Sequence, residues 1–127
     1  MWPFRRRKPP LVESVSVAAV STEPDDYPVL TVGQSRLGDS FEALGFYGDA
    51  DPRFESASLR PLIDPAMKRV ADVEVRVQGH VVGYLRPPAL DTAIRLLDEH
   101  RAESLEVPVM LFIAPSGPEV RVHADLQ

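Results

Sequence analysis

The chain has 127 residues, 44% of them hydrophobic and 26% charged, with a formal net charge of −5; this is the profile of one ordinary globular domain with a modest core. It has no cysteine, which excludes disulfides and thiolate metal sites, and no apolar run approaches the ~20 residues that span a bilayer. Thirteen prolines predict short elements joined by many loops, not a helical bundle.

Residues 1–10, MWPFRRRKPP, differ in composition from everything after them. Arg5, Arg6, Arg7 and Lys8 are four of the fourteen basic residues, so the rest of the chain carries −9 (the total of −5 less their +4). Such a segment reads in two ways. It can contact nucleic acid or an anionic membrane, with Trp2 and Phe4 as apolar anchors, or it can be a solvated terminus. Prolines and clustered charge cannot bury a core, which favours a disordered tail. Glu13, Ser14 and Ser16 interrupt LVESVSVAAV, so the stretch is a poor secretory signal core and the expected location is the cytoplasm.

Leu11 to Val20 reads as either a short strand or an ordered arm. Ser21 to Asp26 (STEPDD) is polar and turn-rich, hence a linker. The chain is therefore divided into a tail and linker over 1–26 and a domain over 27–127. Tyr27 to Val32 predicts the first strand of that domain, closed by Gly33. Asp39 or Ser40 is placed to cap one helical turn over Phe41 to Leu44, ending at Gly45. Phe54 to Ile63 predicts a strand, and Asp64 to Arg69 a turn.

The clearest stretch is Val73 to Leu85, VEVRVQGHVVGYL. Val73, Val75 and Val77 alternate with Glu74, Arg76 and Gln78, the period of a half-buried strand. Gln78-Gly79 predicts a two-residue turn, and His80 to Leu85 the returning strand. Gly83 within it marks a bulge or a close approach by another part of the chain. Ala89 to Glu103 follows as a helix, with Leu90, Ala93, Ile94 and Leu97 on one stripe and Pro87 and Pro88 suited to its first turn. Val107 to Ile113 predicts a strand buried on both sides, Ser116 to Pro118 a turn, and Val120 to Ala124 a last strand. The fold class is mainly β with one clear helix (α+β), a small bent barrel. Val75, Val77, Val82, Leu85, Leu97, Leu111 and Val122 are the expected core.

Leu59 to Leu62, the hairpin DVEVRVQGHVVGYL and the helix after it together resemble the HIRAN domain family. Val82-Gly83-Tyr84-Leu85 followed by Arg86-Pro87 is similar to the family's Val-Gly-Tyr-Leu-Pro strand, and Val73 to Val77 to the strand before it. Val32-Gly33 would correspond to the family's first strand, so the similarity covers Tyr27 to Leu126. The resemblance implies an OB- or SH3-like barrel, found beside helicase and nuclease domains and alone in bacteria and phages, that captures single-stranded DNA ends. The chain departs from the family at the Asn-x-x-Asp-x-x-Ala loop. With Asp72 in the place of the alanine, Ala66 and Arg69 replace the polar pair, and the loop's aromatic is missing. That departure tells against end-specific capture.

Searching the chain for chemistry yields little. His80, His100 and His123 share no spacing, whereas a metal site needs convergence with a carboxylate; they read as three independent surface residues. No serine lies in a G-x-S-x-G setting. Gly45-Phe46-Tyr47-Gly48 is too short and aromatic to cradle phosphate, and Asp25-Asp26 and Asp49/Asp51 read as solvated turns. What remains is aromatic residues with basic neighbours. Tyr47, Phe54 and Tyr84 are candidates for a stacking platform, with Arg36, Arg53, Arg60, Arg76 and Arg86 along a phosphate path. The opposing reading makes Phe54 and Tyr84 core and the arginines dispersed surface charge, and the acidity of the domain supports it.

The expectation is a non-catalytic binding module without a cofactor, contacting single-stranded DNA through Arg76, Tyr84, Arg86, Arg60 and Tyr47, aided by Arg5, Arg6, Arg7 and Lys8. Arg76 and Tyr84 both alternate away from the valine face, which puts them on one outer surface. The alternative is a protein-interaction module that uses an exposed barrel face or strand edge.

Overall fold

The computed structural model describes residues 11–32, 37–46 and 51–127. Seven strands form one sheet: β1 (Val12–Ser16), β2 (Val29–Leu30), β3 (Arg53–Asp64), β4 (Arg69–Val77), β5 (His80–Tyr84), β6 (Ala102–Ala114) and β7 (Gly117–Val122). Two helices accompany them, α1 (Leu37–Ala43) and α2 (Ala89–Glu99). The sheet runs β2-β7-β6-β3-β4-β5, and β1 joins the edge of β6 in parallel. All other pairings are antiparallel.

The β4–β5 hairpin forms as its sequence dictates. Val77 pairs with His80, and the two residues between them, Gln78 and Gly79, have φ of 49° and 82°, the positive values a type I′ turn needs. Gly83 meets both expectations for a glycine in a strand. The register skips Val82 between the pairs Val75–Gly83 and Arg76–Val81, a bulge, and a Cβ on Gly83 would lie 2.7 Å from the Thr31 hydroxyl oxygen. The β3–β4 turn is held by Asp64, whose Oδ1 accepts from the amides of Ala66 and Met67, an Asx turn.

The sheet curls but does not close into a continuous ladder. Among the described residues its ends meet at one bridge, where Val32 and Tyr84 exchange two backbone hydrogen bonds of 3.0 and 2.9 Å. Helix α1 packs against β5 and β7 beside this seam, and its Phe41 is buried in the core, with Leu44 just beyond its end. The helix ends in a Schellman motif: Gly45 has φ 72°, its amide reaches the Glu42 carbonyl and the Phe46 amide the Phe41 carbonyl. The rings of Phe41 and Phe46 pack edge-on across that turn. Because α1 begins at Leu37, Asp39 and Ser40 lie inside it and do not cap it; the Ser40 hydroxyl donates to the Val81 carbonyl on β5 instead.

All seven residues expected in the core are buried. Val107 to Leu111 are buried on both faces of β6, as expected, while Phe112 and Ile113 are half-buried. Helix α2 presents Ala89, Ala93 and Leu97 to the same core.

Four boundaries differ from the sequence expectation. Helix α2 stops at Glu99, not Glu103, because Arg101 takes φ 49° and Ala102 already pairs with Val12. Pro28 has no donor, so the strand expected over 27–32 shrinks to Val29–Leu30 and the bridge at Val32. The last turn is Pro115–Ser116, since Ala114 pairs with Gly117. Most consequentially, β1 lies before the boundary drawn at residue 27 and yet belongs to the sheet.

The segment drawn as a linker is also built into the fold. Residues Pro24–Asp26 make a 3-10 turn. Tyr27 is 1% exposed and packs its ring against Phe54 and His123 at centroid distances of 5.4 and 5.6 Å. Its hydroxyl donates to the Ser21 carbonyl and accepts from the Ser21 amide.

Candidate functional site

Two surfaces gather the candidate side chains. The first is the outer face of β3, β4 and β5, away from the valine core. Cross-strand register sets Arg60 beside Glu74 and Glu74 beside Tyr84, while the next row holds Ser58, Arg76 and Val81. Arg60, Arg76 and Tyr84 therefore share one face, the arrangement expected from alternation. Their chemistry is less cationic than the sequence suggests. The Arg76 guanidinium is held by Glu74, whose side chain is only 8% exposed. Two more arginines are held in the same way by a carboxylate two residues away on the same strand face: Arg53 by Glu55 and Arg121 by Glu119. Arg53 also donates to the Leu44 carbonyl.

Arg60 is exposed and makes no ion pair among the described residues. It borders a polar hollow of about 180 Å³ shared with Glu13, Glu103 and Glu106 and the serines Ser14, Ser58 and Ser104. Three carboxylates against one guanidinium leave the hollow net negative, a poor seat for phosphate. Arg86 sits elsewhere, lining a cleft of about 200 Å³ with Pro28, Leu30 and Gln127.

Of the expected stacking platform, the described residues include Phe54 and Tyr84, which do not stack on one another. Phe54 lies under Tyr27, and Tyr84, half-buried, stands on the outer face. Tyr47, Arg36, Gly33, Trp2, Phe4, Arg5, Arg6, Arg7 and Lys8 lie outside the described residues. The three histidines occupy separate places: His80 closes the β4–β5 turn, His100 caps α2, and His123 stacks edge-on to Tyr27 and accepts from the Asp125 amide.

The second surface was not anticipated. An open groove of about 720 Å³ runs between α2 and the β3–β4 hairpin. Leu11, Ile63, Val70, Ile94 and Leu97 line it on the apolar side, and Arg60, Arg95, Asp98 and Glu103 supply its charges. Its size is within the range of about 300–1,000 Å³ typical of ligand clefts. Leu11 and Ile63 are 54% and 58% exposed, and Val12 and Met67, flanking them in sequence and on the hairpin turn, are 47% and 57% exposed. Five of the seven exposed large apolar residues among the described ones, counting Leu62, thus belong to the start of β1 and the β3–β4 hairpin. The signal available in the sequence was Leu62-Ile63, two large apolar residues directly before the Asp64-Pro65 turn, where loops are normally polar.

No protein family, no curated protein and no solved structure matches the chain. Among the described residues no helix is long and apolar enough to cross a membrane.

Proposed function

We propose that this chain is a non-catalytic, cytoplasmic protein-interaction module whose contact surface is the groove between α2 and the β3–β4 hairpin. One observation carries the reading: large apolar side chains are exposed at that end of the molecule, around a groove that is itself apolar. Monomers seldom expose clustered apolar surface without using it, and apolar anchors entering a groove with a polar rim supply most of the energy in protein contacts. The partner is accordingly a polypeptide presenting apolar side chains.

The test places a photo-crosslinking residue at Met67 in cells that express the protein. A discrete protein adduct that disappears when Ile63→Asp is added supports the reading. No adduct, or one indifferent to Ile63→Asp, overturns it. Because Ile63 is exposed, the substitution should leave the fold within about 0.5 kcal/mol of its original stability.

A second reading is favoured by the shared row of Arg60, Glu74 and Tyr84: the outer face contacts single-stranded nucleic acid, as the HIRAN resemblance implies. The carboxylates that hold Arg76 and surround Arg60 weaken it. Fluorescence anisotropy with a short labelled single strand at low salt separates the two. Under this reading Tyr84→Ala weakens binding by about 1–3 kcal/mol, and Arg60→Ala lowers the salt slope by about one phosphate contact.

A further inference from the structure

The groove between α2 and the β3–β4 hairpin does not end at its apolar wall. It adjoins the polar hollow of about 180 Å³, because Arg60 and Glu103 line both. The charges along this joint concavity are unequal. Arg95 is held by Glu99 one helical turn on, at 3.2 Å, so that cation is offset within α2. Arg60 then stands against Asp98 in the groove and Glu13, Glu103 and Glu106 toward the hollow. None of these four carboxylates takes part in an ion pair among the described residues. One cation against four anions leaves −3 (+1 less 4). Walls of low dielectric constant focus such a field into the cleft.

We propose that the partner of this groove is a basic peptide segment. Its apolar side chains seat against Ile63, Val70 and Ile94, and a neighbouring lysine or arginine reaches into the hollow. This inference rests on the groove reading and adds to it the sign of the partner's charge. The carboxylates are not the site by themselves; they decide what the apolar groove admits. Lysine and arginine suit the junction because their methylene stems lie along apolar surface while the charged head stays in polar surroundings. Those heads carry only donors, and the hollow offers acceptors in three carboxylates and the hydroxyls of Ser14 and Ser58. An acidic segment would set like charge against like, which costs affinity.

Selection of short random peptides displayed on phage, with the full chain as bait, tests this. The expected winners combine apolar residues with lysine or arginine and are lost when the bait carries Ile63→Asp. A synthetic, labelled copy of one winner should bind more weakly as salt shortens the Debye length to ~3 Å, near 1 M. Replacing its basic residue by glutamate should abolish binding. Glu103→Lys with Glu106→Lys turns the hollow from −2 to +2 (three carboxylates and one guanidinium become one carboxylate, two ammonium groups and one guanidinium). That bait should select acidic peptides in place of basic ones, an inversion that loss of folding cannot mimic. Glu103→Lys alone, at an exposed position, should erase the preference for basic residues, and circular dichroism checks that both baits are folded. Apolar winners without basic residues, or the same basic winners from the charge-reversed bait, would overturn this proposal and leave the groove reading standing. No winners at all, as when another part of this chain or a second copy fills the groove, or winners indifferent to Ile63→Asp, would overturn both.

Discussion

Tyr27 shows how one side chain turns a polar, turn-rich stretch into part of the fold. Its ring covers Phe54 and His123 on the outer side of the sheet, and its hydroxyl satisfies both backbone polar groups of Ser21. Burial raises the Tyr27 pKa, the Ser21 hydrogen bond offsets part of that rise, and the nearby Asp26 carboxylate adds to it. The folded state thus prefers the neutral phenol. Stability that this preference provides is present below the free phenol's value of about 10 and is lost as pH rises from there through the higher folded value. Alkaline titration of the unfolding free energy should therefore show a drop that Tyr27→Phe lacks. At neutral pH the same substitution should cost about 0.5–1.5 kcal/mol, the net worth of a hydrogen bond, since the ring packing is retained. Gly83 offers a second residue-scale test. A methyl group there meets the Thr31 side chain at 2.7–2.8 Å, so Gly83→Ala should lower the melting temperature, and adding Thr31→Gly should recover part of the loss. Additive effects in that double-mutant cycle would show that the close approach is not what demands a glycine.

At the scale of elements, legibility follows sequence separation. The β4–β5 hairpin could be read because alternation, turn and bulge all lie within 13 residues, Val73 to Leu85, and each has a local cause. Helix α2 was equally legible on its stripe. Its Leu97 is 6% exposed within the core cluster, so Leu97→Ala should destabilise by about 2–5 kcal/mol in chemical denaturation; an unchanged midpoint would mean that α2 does not seal the sheet. The end of α2 was less legible, because what stops the helix is β6 beginning early to pair with β1. That partner lies about 90 residues away, with Val12 opposite Ala102, and nothing local in VESVS announces it. Only Val15 and the following Val17 pack against the core, too few to make a periodic signal. The arginine–carboxylate pairs were legible in principle. Arg53 and Glu55, Glu74 and Arg76, and Glu119 and Arg121 are all two residues apart on strands, where that spacing puts both side chains on one face.

The described residues form a curled sheet whose ends meet at a short seam. Between β3 and β4 and between β3 and β6 the ladders each run over seven paired positions, whereas among the described residues β5 pairs with the far end of the sheet only at the Val32–Tyr84 bridge. Among the described residues, two backbone hydrogen bonds, the Ser40–Val81 contact, the approach of Thr31 to Gly83 and the packing of α1 make up that seam. Opening it exposes far less apolar surface than separating β3 from β6, and local openings that expose less surface have lower free energies. Native-state hydrogen exchange should accordingly find the amides of Val32 and Tyr84 exchanging through a local opening insensitive to low denaturant. The ladder amides of β3 and β6 around Ala57, Leu59, Val107 and Val109, all fully buried residues, should exchange only through global unfolding. Ser40→Ala, which removes the α1–β5 hydrogen bond, should speed exchange at Tyr84 and leave the β3–β6 amides nearly unchanged. If Tyr84 is instead protected to the global limit and Ser40→Ala shifts all amides alike, the barrel opens as a single cooperative unit and α1 is as much a part of its core as β6.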